Sequence, residues 1–180
     1  MMIRLQRFNT YLLVTAAVAV AAVCGCQSIG DKKPRKLLST LRLHVEASLD
    51  GTKANESVPV YREKPVWVTV EKMPFLTEAN VAAASVIDGV GGYSLSIQFD
   101  HDGIVLLEAC TAANRGRKMA IFSQFGKEIK DYRWLAAPVI NHRISDGVLV
   151  FTPDATREEA EEIALGLNNV SKKVHGWLDR

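Results

Sequence analysis

Cysteine is scarce in this chain: three residues among 180, at positions 24, 26 and 110. So few cannot build a disulfide scaffold of the kind that stabilises small secreted domains. A zinc site wants four ligands, usually as two pairs, and Cys110 has no histidine near it in sequence. Redox chemistry prefers a CxxC spacing, which is absent. The four histidines, His44, His101, His142 and His175, show no metal-ligand spacing, and HExxH is missing. There is no GxSxG and no phosphate-binding GxxxxGK[ST]. The segment "GVGGYS" at 89–94 lacks dinucleotide-loop spacing and leads into a strand pattern, so it reads as a turn. "DHDG" at 100–103 lacks the Glu that a calcium loop places twelve positions on from Asp100, where Thr111 stands, and also reads as a turn. The carboxylates of "REEAEE" read as the solvated face of a helix, and His44 as a solvated residue on the polar face of a strand. With no paired-carboxylate, triad or metal constellation, the expectation is a protein that is not an enzyme, with no cofactor, no metal and no small-molecule substrate.

Acidic residues are missing from the first thirty positions, and no later hydrophobic run is long enough to cross a membrane. "MMIRLQRFNT" carries Arg4 and Arg7, and Tyr11–Val23 follows as thirteen residues without a charge. A bilayer-spanning helix needs about 20 apolar residues, whereas thirteen behind a positive segment suits a secretory signal. "VCGC", with Val23, Cys24, Gly25 and Cys26 in its four places, resembles the lipobox of bacterial lipoproteins. The resemblance implies cleavage before Cys26 and a diacylglyceryl group on its thiol. Cys24 occupies a place where Ala or Ser is commoner. Cleavage before Cys24 is the poorer register, because Val23 is large for the residue before the cut. One acyl chain binds a membrane marginally and two anchor it stably; lipoproteins of this class carry two or three. On this reading residues 1–25 are a signal peptide and 26–36 a lipidated tether, "CQSIGDKKPRK". Gly30, Pro34 and the lack of periodicity mark the tether as irregular. Gln27 after the modified cysteine favours the outer over the inner membrane, with the protein facing the periplasm.

Net charge is also lacking once the signal is set aside. Residues 1–25 hold two of the 22 basic residues and none of the 20 acidic ones, so the remainder carries 20 of each sign. No basic excess supports nucleic-acid binding.

The rest of the chain is patterned. "TLRLHVEA" alternates, with Leu41, Leu43 and Val45 on one side, as in a half-buried strand. "VPVYREKPVWVTVEK" holds a strand interrupted at Pro65, with Val66, Val68 and Val70 on one face. "MPFLTEANVAAASVIDG" is expected to be a helix capped by Thr77 and ended by Gly89. "GGYSLSIQF" is a strand with Tyr93, Leu95, Ile97 and Phe99 on one face, and "IVLLEACTAANRGR" a second helix, in which Cys110 packs as a small apolar group. "RKMAIFSQ" and "KEIKDYRWL" are paired strands around Gly126, and "SDGVLVFTP" is the last strand. "TREEAEEIALGLNN" is the clearest helix: Thr156 and Glu159 form a capping box, and Ala160, Ile163, Ala164 and Leu167 keep helical spacing. The fold class is α+β, a mixed, largely antiparallel sheet with helices mainly on one face, over residues 37–170, followed by a C-terminal tail, 171–180.

From Pro74 to Asn168, about 95 residues, one set of positions is ordered along the chain. Pro74, Leu76 and Thr77 come first, then Phe99, Asp100, Gly103 and Thr111. Gly116, Arg117, Met119, Ala120 and Ile121 fit "G-R-x-[LM]-A-I". Pro138, Ile140, Ile144 and Gly147 lead to Phe151, Thr152, Glu159 and Ala160. In these positions the chain resembles the head region of the first periplasmic domain of SecD, an accessory subunit of the bacterial protein-export channel. The chain departs in having Asp146–Gly147 where Ser-Gly is usual, and in the longer "DAT" before the last helix. The resemblance implies a head that touches unfolded polypeptide; proton-coupled translocation, which belongs to SecD's membrane helices, does not carry over. The expected function is a membrane-tethered envelope lipoprotein binding exported polypeptide or a translocase partner. The alternative is a structural lipoprotein with one fixed envelope partner.

Overall fold

Alternating side chains on short, β-branched segments produce most of this molecule. The computed structural model describes residues 37–48, 54–126 and 129–178. In chain order they form β1 (Thr40–Val45), β2 (Asn55–Val60), β3 (Val66–Glu71), β4 (Leu76–Thr77), a single 3-10 turn (Glu78–Asn80), β5 (Val81–Gly89) and β6 (Gly92–Phe99). There follow α1 (His101–Ala113), β7 (Met119–Phe125), β8 (Asp131–Ala136), β9 (Val148–Phe151) and α2 (Arg157–Leu178). The signal, tether and lipid-attachment readings, Cys26 included, lie outside the described residues.

The strands make a four-stranded sheet, β4-β1-β7-β8, a three-stranded sheet, β5-β6-β9, and a two-stranded hairpin, β2-β3. Every strand pairing among the described residues is antiparallel, so the class is α+β but the sheet is not mixed. Leu41 and Leu43 of β1, Ile121 and Phe125 of β7, and Leu135 of β8 project into the main core. They meet Leu95, Ile97 and Phe99 of β6, Leu107 of α1, and Ile163 and Leu167 of α2 there. Ala160, Ile163, Ala164 and Leu167 are all buried, as helical spacing requires. The capping box is present: Glu159 N–H donates to Thr156 Oγ1 at 3.2 Å and Thr156 N–H to Glu159 Oε2 at 2.8 Å. α2 continues through 171–178, the stretch read above as a tail.

Three expectations fail for identifiable reasons. Residues 78–89 are not a helix but a 3-10 turn and the strand β5. A register irregularity between Val81 and Ala83 lets Val81 and Ala84 both turn inward. That i, i+3 spacing imitates a helix. "DHDG" is not a turn: the helix begins at His101, and Asp100 caps it by accepting the Gly103 N–H at 2.8 Å. His44 is not solvated but 6% exposed, because the β2–β3 hairpin covers the second face of the larger sheet. Val58, Val60, Val68 and Val70 pack there against Ala120 and Trp134. Each fully buried valine is worth roughly 1.5–3 kcal/mol, enough to hold the hairpin down.

Candidate functional site

The hairpin's attachment creates the site. β7 alternates, with Met119, Ile121, Ser123 and Phe125 buried toward the main core and Phe122 turned to the other face. On β8, Tyr132 and Trp134 share that other face. Phe122 stands opposite Trp134 in the strand register, with ring centroids 5.2 Å apart at 57°. His44 meets the same indole edge-on, also at 5.2 Å. Its Nδ1–H donates to the Glu71 carbonyl at 2.7 Å, which ties β1 to the base of the hairpin. Burial holds the His44 pKa below its ordinary 6.5, outweighing the hydrogen bond to Glu71.

The tip of the hairpin reaches over this aromatic face and is fastened on the far side. Arg62 N–H donates to Asp154 Oδ2 at 2.8 Å, and Arg62 Nε lies 3.4 Å from Asp154 Oδ1. Tyr61 takes a left-handed φ of 72° to place Arg62 there, a conformation uncommon outside glycine. Behind it, Arg133 grips Glu159 with two nitrogens at 2.7 and 3.1 Å, donates to the Asp154 carbonyl at 3.1 Å, and lies 5.2 Å from the Phe125 ring centroid. Each partner holds the other ionised: the hydrogen bond to Arg133 pulls the Glu159 carboxyl below its ordinary value, and the hydrogen bond to Glu159 raises Arg133. Glu159 is therefore not part of a merely solvated face.

Between tip and sheet lies a groove of about 400 Å³, within the size range of ligand-binding clefts. Pro59, Tyr61 and Pro65 form one wall; Phe122, Tyr132 and Trp134 form the other; Arg62, Arg133 and Asp154 close one side. Tyr132 is 73% exposed. The walls are apolar and aromatic, and the charges near them are already paired. Such walls offer ring faces on which apolar groups can pack. Among the described residues no group of three or more His, Cys, Asp or Glu could hold a metal ion. No described helix is long and apolar enough to cross a membrane.

Reading the sequence misses these groove residues. The only signals were the aromatic alternation of Tyr132 and Trp134 and the "YREKP" turn, and neither says that the hairpin folds back across β7 and β8. The positions carrying the SecD resemblance lie mostly in the frame. Thr111 Oγ1 donates to the Leu107 carbonyl at 2.7 Å and accepts from Ile144 N–H at 3.0 Å, joining α1 to the loop before β9. Among the resemblance positions, Glu159 anchors the groove residue Arg133 and Ala120 packs in one cluster with Trp134. Cys110 sits half-buried in α1, its thiol pushed up to about 11 by burial, and so is a poor nucleophile.

The fold and its matches agree. A family model described as "SecDF, P1 head subdomain" matches residues 55–171. The protein translocase subunit SecDF of Thermus thermophilus is 36% identical over 102 residues, covering 56% of this chain and 13% of that protein. The chain thus spans a small part of the length of that curated relative. A solved structure described as "a membrane component SecDF that enhances protein export" superposes with a TM-score of 0.52 at 23% identity, over 74% of this chain and 64% of the other. A crystal structure of SecDF in a super-membrane-facing form gives the same TM-score and identity over 73% of this chain and 19% of the other. At that identity these two likenesses speak for the fold alone. The family match extends over more than half of the chain, and the chain belongs to the SecDF P1 head subdomain family.

Proposed function

We propose that this protein is a lipid-anchored component of the bacterial cell envelope, tethered through Cys26 and facing the periplasm, whose P1-head domain receives exported polypeptide in the aromatic groove. The observation that carries the reading is the groove itself: apolar ring faces held open by an ion-paired clasp. Family membership supports a role beside protein export, and the relative named as a translocase subunit points the same way. The protein carries out no reaction of its own on this reading and needs no cofactor. Its work is to hold a segment of chain near the membrane, with affinity spread over aromatic contacts.

The test is fluorescence anisotropy of the full chain with labelled, unfolded secretory polypeptide. Tyr132→Glu places a charge on a side chain that is already mostly exposed, so the fold is kept. We expect about tenfold weaker binding, the size of effect seen at aromatic hot spots. Unchanged affinity in Tyr132→Glu, or no binding by the wild type, sinks the groove as a client site; in-cell crosslinking to one fixed partner instead would favour a structural role. Mass spectrometry of the mature N-terminus tests the anchor, and an unmodified Cys26 or a retained segment 1–25 would overturn it.

A further inference from the structure

The three-stranded sheet treats its two edges differently. Along β5, α2 supplies side chains in place of a neighbouring strand. Asn168 Oδ1 accepts from Ala84 N–H and Asn168 Nδ2 donates to the Ala84 carbonyl, each at 2.8 Å, and Ser171 Oγ donates to the Ala82 carbonyl at 2.9 Å. Among the described residues the opposite edge, β9, has no such cover. Phe99 N–H donates to the Gly147 carbonyl at 3.0 Å, and the register continues through Ile97–Leu149 and Leu95–Phe151. The backbone groups of Val148 and Val150 therefore point away from the sheet. Asp146 Oδ1 takes the Val148 N–H at 3.1 Å. The Val148 carbonyl and both groups of Val150 face outward.

A second edge faces this one. The chain after β8 runs extended through 138–140 and bonds on one side to 116–119. Met119 N–H donates to the Pro138 carbonyl, Ile140 N–H to the Arg117 carbonyl and Gly116 N–H to the Ile140 carbonyl, each at 2.9 Å. Val139 lies opposite Lys118 between those bonds, so its own N–H and carbonyl turn the other way, as alternation in an antiparallel ladder demands. Val139 and Val150 line one cavity of about 230 Å³, with Ile144 and Leu149 on its walls. A further hollow of about 410 Å³ continues along 142–150. The seam is closed at its far end, where Asp154 N–H donates to the Leu135 carbonyl at 2.7 Å. Val139 and Val150 are 46% and 49% exposed, giving the seam apolar lips.

The rim is cationic. Arg115, Arg117 and Arg143 are all exposed beside it. Arg143 is paired with Glu108, Arg115 reaches the Asn141 carbonyl at 3.5 Å, and Asp146, which accepts the Val148 N–H, sets one negative charge against the arginines. Among the described residues Arg117 has no ion-pair partner. Native proteins usually blunt an open edge with lysine, proline or an inward charge; this one is lined with valine and bordered by arginine.

We propose that this seam docks an extended, acidic segment of a partner protein, which adds as a strand along Val148–Val150 and presents its carboxylates to Arg115 and Arg117. Backbone pairing supplies the affinity and the arginines the sign of charge selected. The site is separate from the aromatic groove and stands whether or not the groove holds a client.

The test uses the full chain and short labelled peptides alternating valine with glutamate, read by anisotropy and by amide hydrogen exchange. The glutamate peptide binds and slows exchange at Val150. Methylating alternate peptide nitrogens removes the strand donors and weakens binding about tenfold, the loss of one to two net hydrogen bonds. A lysine counterpart binds more weakly still, and Arg117→Glu weakens the glutamate peptide. Equal binding of the methylated or the lysine peptide overturns the proposal, as does absence of binding. Binding abolished by Tyr132→Glu and untouched by Arg117→Glu also overturns it, since the peptide would then occupy the groove.

Discussion

Gly103 stands in the first turn of α1 with no room for a methyl group: a Cβ there would lie 2.9 Å from Phe99 Cβ and 3.1 Å from the Asn80 carbonyl oxygen. The Asn80 oxygen is backbone and the Phe99 Cβ is fixed directly to it, so neither can move cheaply. Gly103→Ala should destabilise the protein by about 1–3 kcal/mol, the usual cost of overpacking, read as a lower urea midpoint with an unchanged slope. His44 makes a prediction in pH. Its folded pKa is depressed below 6.5 by burial. Between the two values the unfolded chain binds more protons than the folded one. The stability it contributes is therefore full above 6.5 and lost as pH falls from 6.5 toward the folded pKa. Wild type should lose stability over that window, and His44→Gln should lose less, measured by denaturant titration at stepped pH. Equal pH slopes in the two proteins would show that His44 is not held neutral by the fold.

At the scale of elements, side-chain clasps decide which strands stay covered. The Asn168 amide bonds both backbone groups of Ala84 and so stands in for a strand partner along β5. Asn168→Ala leaves a strand N–H and carbonyl without those bonds, at a cost of about 1–3 kcal/mol. It should also promote self-association detectable by light scattering, because an uncovered edge is a template for pairing. The clasp at the hairpin tip depends on Glu159. Its folded pKa lies below 4.5 through Arg133, so its contribution is present above 4.5 and fades as pH falls through the folded value. Glu159→Gln should cost about 2 kcal/mol at neutral pH, since Arg133 is left half-buried without its carboxylate, and the difference from wild type should shrink in acid. A difference that does not shrink would mean that the pair matters for packing alone.

For the whole molecule, the proposed function and the proposed docking seam put two polypeptide sites, a groove and an open strand edge, on one domain. If the groove takes clients and the seam a fixed partner, the two peptides should bind at once, without competing. Mutual displacement would mean a single site.

Much of this architecture was legible in the chain. Period-two alternation marked β1 and β6, and the Asp146–Gly147 turn marked the start of β9. Thr156, Glu159 and the Ala160–Leu167 spacing marked the start and buried face of α2. Gly126 marked the β7–β8 turn, where its φ is 84°. These are local signals, because a turn, a cap or a buried face is set by residues close in sequence. What the chain hid is non-local. An alanine-rich segment with helical spacing became β5 because β6 offered a ladder and a bulge reset its inward face. His44, Phe122 and Trp134 were placed on a polar-looking side that a hairpin from elsewhere in the chain then covered. The sequence by itself determined most of the elements and carried the resemblance to the family. The groove, the clasp and the open seam came from tertiary structure alone, because each is built where segments distant in sequence meet and their side chains exclude water together.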